Sequence, residues 1–184
     1  MVHSSWKKGG FTLLEIMVSI GIVAIMGVLI SQVFFTTTRS NTKAELLKNI
    51  KQNGDFSVDI MGRMIRNANA ITTTCAETGS TTSSIALSNP DGGSTAFGCL
   101  LDGTVTRIAS TSAGRTDYLT NSGLTLGGTD CNGASLSFVC TAPAGQPTTV
   151  AITFSLAQKG TPADQFDRAS ASFQTTAAIR NVRQ

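Results

Sequence analysis

The sequence is poor in the residues that most enzymes use for catalysis. Its 184 residues include one histidine, His3, and no C-x-x-C pair. His3 lies ahead of a hydrophobic block, in a segment that we predict to be removed, so we expect no imidazole in the mature chain. A Ser-His-Asp triad, a Cys-His pair and a histidine metal site all need that group. We therefore expect a protein that is not an enzyme and has no metal centre or cofactor.

Charged residues are also few, at 14% of the chain, and neither sign dominates. Fourteen Lys and Arg against eleven Asp and Glu give a net charge of +3, which falls to +1 if Lys7 and Lys8 are removed. The mature chain would then have Tyr118 as its only tyrosine or tryptophan. Neutralising phosphates needs an excess of basic residues, and base stacking needs aromatic side chains such as tyrosine and tryptophan. Because the mature chain would have little of either, nucleic acid is an unlikely partner on the sequence alone.

Apolar residues are concentrated in one block, FTLLEIMVSIGIVAIMGVLI, which runs from Phe11 to Ile30. As a helix, these twenty residues would span about 30 Å and match a bilayer core. No A-x-A-like site follows the block, which argues against an ordinary signal peptide. Its only charge, Glu15, is costly in a membrane, and such a residue usually marks function. A plain transmembrane anchor leaves Glu15 unexplained.

The residues at the start of this block resemble the class III leader of type IV pilins and type II secretion pseudopilins. The resemblance rests on basic Lys7 and Lys8, followed by Gly10, Phe11 and Glu15. It implies that a prepilin peptidase cuts after Gly10 and that Phe11 becomes an N-methylated terminus, with Glu15 fifth in the mature chain. It also implies that the chain waits in the membrane and then assembles through Phe11 and Glu15. The implied partners are other pilin or pseudopilin subunits and an inner-membrane assembly platform.

The orientation of the span rests on the leader and the cysteines. Basic residues both precede and follow the span, so the positive-inside rule alone does not decide it. All four cysteines lie beyond the span, and an even number in a translocated domain favours two disulfides in an oxidising compartment. We therefore predict a single-pass inner-membrane protein whose C-terminal domain lies outside the cytoplasm, before it enters a periplasmic or surface filament.

Four cysteines allow three disulfide connectivities, and the sequence excludes none of them. We expect Cys75 to pair with Cys99 and Cys131 with Cys140, because each pair then closes a local loop around predicted strands. Either bridge would help a domain that is rich in Thr, Ser and Gly and has a thin core.

Beyond the membrane the helix is predicted to continue to residue 70. Apolar residues recur at steps of three and four and so line one face of the helix. We expect this face to cover the domain's own sheet. Its residues are Leu47, Ile50, Gly54, Val58, Met61, Ile65 and Ala68. Charged residues lie mainly on another face: Lys48, Lys51, Asp55, Asp59, Arg63 and Arg66. No proline precedes Pro90, and many major pilins carry one in this helix. This departure favours a minor pilin or a pseudopilin. A separate resemblance, to the larger minor pilins and J-type pseudopilins, rests on the strand-rich layout that ends in residues 173–181 and on residues 52–56 leading into 63–66.

From Ile71 onward the composition favours strands and turns. Asn89–Gly93 and Asp102–Gly103 are typical of hairpin turns. The predicted strands are 84–88, 95–101, 104–108, 135–141, 148–156 and 169–179. The fold class is therefore α+β, with a long helix packed on an antiparallel sheet domain. The predicted segments are a leader (1–10), a transmembrane and filament-core helix (11–35), its amphipathic continuation (36–70) and a β-rich domain (71–184).

Two questions stay open at this stage. Asp164 and Asp167, or Asp91 or Asp102, are candidate calcium ligands, but the chain lacks EF-hand-like spacing and turn aspartates usually cap backbone groups.

The favoured function is a structural subunit of a type IV pilus or a type II secretion pseudopilus. The alternative is a binding module carried by such a filament, either an adhesin or a DNA-uptake minor pilin. The sequence does not say which machine the chain serves.

Overall fold

The computed structural model describes residues 10–160 and 169–180. The chain divides into two compact units, residues 1–41 and 42–184. One helix, α1 (Leu13–Asn67), contributes to both units and ends three residues before the predicted boundary at residue 70.

In the first unit, every described residue from position 10 to position 41 is exposed. Hydroxyl side chains in this part of α1 donate hydrogen bonds of 2.7–3.0 Å to the carbonyl four residues earlier: Ser19, Ser31, Thr36, Thr37 and Thr38. Since these hydroxyls find their acceptors within the helix, they need no water, as a lipid environment requires.

In the second unit, α1 turns one face toward the domain core. Most of its buried residues recur at steps of three and four and confirm the predicted stripe, which did not include Ser57 or Gly62. The buried residues of the helix are Ile50, Gly54, Ser57, Met61, Gly62 and Ile65. The Ser57 hydroxyl is satisfied by the carbonyl of Asn53 at 2.8 Å and that of Leu119 at 3.3 Å.

The β-rich part contains two antiparallel sheets. The first has the order β1 (Ala70–Ile71), β3 (Ser84–Ser88), β4 (Ser94–Asp102), β5 (Val105–Ser112) and β6 (Arg115–Tyr118). The second has the order β10 (Ser170–Ala178), β9 (Thr149–Gln158), β8 (Ser137–Thr141) and β2 (Ser80–Thr82), and β7 (Leu124–Thr125) also pairs with β9. These sheets and α1 confirm the α+β class. The six predicted strands are present, β3 with the predicted ends and the other five with shifted ends, whereas β1, β2, β6 and β7 were not predicted.

One core joins α1 to both sheets. In β3, β8 and β9 buried residues alternate with more exposed ones, as expected for sheets with one covered face, whereas the first five residues of β5 are all buried and β6 is exposed throughout. The fully buried large side chains come from all three layers: Phe97, Phe138, Phe154, Ile50, Met61, Ile65, Ile85, Leu87, Ile108, Ile152 and Leu156.

The structure contains two disulfides, but the expected pairing is wrong. Cys75 pairs with Cys140, 65 residues later, and Cys99 pairs with Cys131, 32 residues later. The sheets cause this, because the segment before β2 runs beside β8 and places Cys75 next to Cys140. The prediction rested on proximity in sequence. Proximity in sequence does not determine which cysteines pair when strands from distant parts of the chain lie side by side.

The segment after β6 is fixed to both the first sheet and α1. Arg107 donates to the carbonyl of Thr120, pairs with Asp102, and lies 4.1 Å from the ring centroid of Tyr118. The backbone N–H of Asn121 donates to Asn53 Oδ1 at 3.0 Å. This loop therefore links the buried guanidinium of β5 to the polar edge of the helix.

Candidate functional site

The first turn of α1 is closed by a side-chain cap. The backbone N–H of Glu15 donates to the Thr12 hydroxyl at 3.2 Å, and that of Ile16 donates to the Thr12 carbonyl at 3.2 Å. Thr12 is thus the N-cap residue, and its oxygen satisfies one of the N–H groups that a helix start leaves without an intrahelical partner. The cap fixes the first helical residue at Leu13, so Gly10 and Phe11 lie outside the helix.

Glu15 occupies the third position of the helix, in its first turn. A carboxylate is favoured there because the aligned peptide dipoles give a helix N-terminus a partial positive charge. Its side chain is exposed. The Glu15 carbonyl accepts the Ser19 hydroxyl at 2.7 Å, which leaves the carboxylate as the group that is available to a second molecule.

The predicted cleavage point is exposed on the side that the structure describes. A Cβ atom added at Gly10 would meet no atom within 4 Å, and the side chain of Phe11 is 79% exposed. Nothing in the described part of the chain covers the Gly10–Phe11 bond, as access by a peptidase requires. The predicted basic residues Lys7 and Lys8 lie outside the described residues.

The helix that follows presents an uncovered apolar surface. From Phe11 to Phe35 the large apolar side chains are 50–79% exposed. Length and composition make α1 the one helix among the described residues that is able to cross a membrane. At roughly 25 cal/mol for each Å² of apolar surface, leaving such a helix in water is strongly unfavourable. The surface therefore needs either lipid or the helices of other chains.

The other candidate ligands have local structural roles or lie outside the described residues. Asp91 accepts the N–H of Gly93 at 2.9 Å and so closes a turn. Asp102 pairs with Arg107. Asp164 and Asp167 fall in the segment that the structure leaves undescribed. Within residues 10–160 and 169–180, no cluster of three His, Cys, Asp or Glu side chains forms a metal site.

Comparison with protein families gives a match that falls on this site. Residues 7–31 match the model of the prokaryotic N-terminal methylation motif. The chain carries a class III prepilin leader. This finding confirms the predicted resemblance and is consistent with the type IV pilin and pseudopilin family. No curated protein and no solved structure matches the chain.

The prepilin leader and the apolar helix together indicate a structural protein that is anchored in a membrane and then assembles with other pilins. The leader also indicates processing by a prepilin peptidase. Sequence reasoning missed the role of Thr12, although its signal was present. Thr12-Leu13-Leu14-Glu15 has the spacing of a capping box, Thr-x-x-Glu, directly before an apolar run.

Proposed function

We propose that the protein is a minor pilin or pseudopilin, a structural subunit of a type IV pilus or of a type II secretion pseudopilus. It is made as a precursor with a leader at residues 1–10 and inserts through residues 11–35, with its N-terminus in the cytoplasm. Residues 36–67 continue the helix, and the rest of the chain forms the strand-rich domain outside the cytoplasm. A prepilin peptidase cuts between Gly10 and Phe11, and the subunit then enters the filament through its helix.

One observation carries this proposal. The leader motif ends at a glycine that lies just outside a capped helix, and the apolar side chains of that helix have no cover in the described chain. A peptidase at the membrane face therefore meets a bond outside the helix that no other part of the described chain covers, and the helix that remains has a surface suited to packing against other subunits.

Glu15 supplies the proposed assembly contact. Cleavage creates a positive amine on Phe11, and that amine must lose water when the helix enters an apolar filament core. A buried charge without a partner is strongly unfavourable. The Glu15 carboxylate of an adjacent subunit compensates the amine, which explains why an acidic residue is present in an apolar span.

The two disulfides support the proposed position of the domain. Disulfides form and persist in oxidising compartments and are rare in the cytosol. Every cysteine of the chain is paired in the structure. The absence of proline before Pro90 supports a minor pilin or a pseudopilin over a major pilin.

Intact-mass analysis of the protein from cells with an active prepilin peptidase tests the processing step. We expect a chain that begins at methylated Phe11. Because a side chain at Gly10 would meet no atom within 4 Å, Gly10→Val leaves the helix intact and should retain residues 1–10. A wild-type chain that keeps Met1–Gly10, or that is cut after Ile30, would contradict the proposal.

A further inference from the structure

The helix carries a band of charge on the side away from the domain core. We call this band the charged stripe; it consists of Lys48, Lys51, Asp55, Asp59, Arg63 and Arg66. At 3.6 residues per turn, the six positions fall within an arc of about 120°. Lys48, Lys51 and Asp55 are exposed, the side chains of Asp59 and Arg63 are 59% and 56% exposed, and Arg66 is half-buried. Five of the six charges are therefore available to another molecule, and Arg66 is partly so.

Along the charged stripe, like charges occur in blocks of two residues, and successive blocks have opposite sign. Two lysines are followed by two aspartates and then by two arginines. The first basic block precedes the acidic block by seven residues (Lys48 to Asp55) and eight residues (Lys51 to Asp59). The acidic block precedes the second basic block by the same spacing, from Asp55 to Arg63 and from Asp59 to Arg66. If the stripe of a second copy is shifted along the helix axis by seven to eight residues, its basic residues therefore lie opposite acidic residues of the first copy.

Most of these charges have no partner within the described chain. Lys51 and Asp55 are four residues apart but form no ion pair with each other among the described residues, and neither Lys48 nor Asp55 has an ion pair there. Asp59 pairs with Arg63 at 3.1 Å, in an i,i+4 arrangement that is open to solvent. Exposed pairs of this kind are weak and are readily exchanged for others.

We infer that the charged stripe docks on the charged stripe of a second copy of this chain, with the two helices parallel and displaced by seven to eight residues. That displacement corresponds to about 11 Å along the helix axis. It places opposite charges against each other at four positions, whereas parallel copies without displacement would place like charges together. The inference rests on the proposed function, because chains inserted with one orientation present parallel helices.

The charged stripe determines the displacement between the two helices. It contributes less to the free energy of the contact. Pairs in water contribute little individually and are screened by salt. Juxtaposed like charges exclude the wrong displacement, which is how charge patterns select one arrangement among several. Cohesion between copies would come from the apolar surface between Phe11 and Phe35.

Incorporation into filaments tests the inference through charge reversal. We expect Lys48→Glu with Lys51→Glu to lower the amount of protein in sheared filaments by roughly tenfold, because two favourable pairs become repulsive. Reversal of all six charges should restore incorporation. The matched control is Arg115→Glu with Lys159→Glu, which changes the net charge equally at two exposed positions away from the stripe. This control should behave as wild type.

Cross-linking identifies the partner directly. One co-expressed chain carries Asp55→Asn and Asp59→Asn, and the other carries Lys48→Gln and Lys51→Gln, so that the lysines of the stripe come from the first chain and its aspartates from the second. A carbodiimide joins lysine to aspartate only where they touch, and a Lys48–Asp55 or Lys51–Asp59 peptide must then come from two chains. We expect these peptides from filaments, with a yield that falls at high salt.

The two proposals fail in different ways. If wild-type protein is absent from filaments, the proposed function is wrong. If wild-type protein enters filaments and the Lys48→Glu, Lys51→Glu variant enters equally well, the charged stripe is only a solvated face and this inference is wrong. Cross-links from the stripe to a different subunit, without any between copies of this chain, would also overturn it.

Discussion

The ring of Phe173 occupies the space that a side chain at Gly54 would need. A Cβ atom built on Gly54 would overlap Cζ and both Cε atoms of that ring. The same ring stacks on Phe154, with centroids 5.2 Å apart and planes inclined by 23°. Strand β10, which carries Phe173, therefore packs against α1 through a contact that requires Gly54 to have no side chain.

We expect Gly54→Ala to destabilise the protein by about 1–2 kcal/mol. Alanine gains up to about 1 kcal/mol in a helix interior, but forcing a methyl group into a filled space costs typically 1–3 kcal/mol. Gly62→Ala is the matched control in the same helix, since its Cβ would meet only the flexible end of Arg66, at 3.2 Å. The measurement is urea denaturation of the full-length protein in detergent, and equal stability of the two variants would refute the packing argument.

The Glu15 carboxylate is expected to be dispensable for insertion and necessary for assembly. Glu15→Leu makes the span more apolar, so membrane insertion and cleavage should be normal. The variant should be depleted from sheared filaments, because the amine of the neighbouring subunit stays buried without its partner. Glu45→Leu, at an exposed glutamate later in the same helix, should assemble normally. Normal incorporation of Glu15→Leu from an unchanged membrane pool would contradict the docking mechanism.

The Thr12 cap is expected to hold the first turn of the helix. Thr12→Ala should cost about 1 kcal/mol of local stability, so the amide hydrogen of Glu15 should exchange roughly fivefold faster in detergent micelles. Thr12→Ser keeps the capping oxygen and should exchange as wild type. Thr36→Ala removes a hydroxyl that donates to the Gln32 carbonyl within the helix, so it serves as the control. Unchanged exchange in Thr12→Ala would show that the cap is not formed.

The two disulfides are expected to stabilise the domain strongly. Loop-closure entropy gives about 4 kcal/mol for the bridge between Cys75 and Cys140, and a few tenths less for the shorter loop between Cys99 and Cys131. We expect each double alanine variant to unfold at lower urea concentration than wild type. Non-reducing peptide mapping should recover Cys75 with Cys140 and Cys99 with Cys131. Recovery of Cys75 joined to Cys99 would contradict the structure.

The sequence predicted the helix well because helical periodicity persists over many turns. Ile50, Gly54, Met61 and Ile65 are buried as their spacing requires. Ser57 was missed because it is polar, and its burial depends on a carbonyl supplied by Leu119, far away in sequence. Tertiary partners of this kind leave no local pattern.

The short strand β6 was missed because its turn uses an unusual residue. Ala113 and Gly114 connect β5 to β6, and both have positive φ, 48° and 77°. Asparagine, aspartate or glycine is common at the first of these positions, whereas alanine is disfavoured there. The leader, by contrast, was recognisable, because its basic, glycine, phenylalanine and glutamate residues occur at fixed spacing.

The two disulfides are nested, since Cys99 and Cys131 both lie between Cys75 and Cys140. During N-to-C emergence of the chain, the first two thiols to meet an oxidant are Cys75 and Cys99, which are not native partners. No native pair is available until Cys131 has emerged, and the outer pair must wait for Cys140. Early oxidation therefore traps a wrong bridge that only thiol–disulfide exchange can undo, over seconds to hours. On the proposed location outside the cytoplasm, we therefore expect the yield of the native pairs to depend on the timing of oxidation.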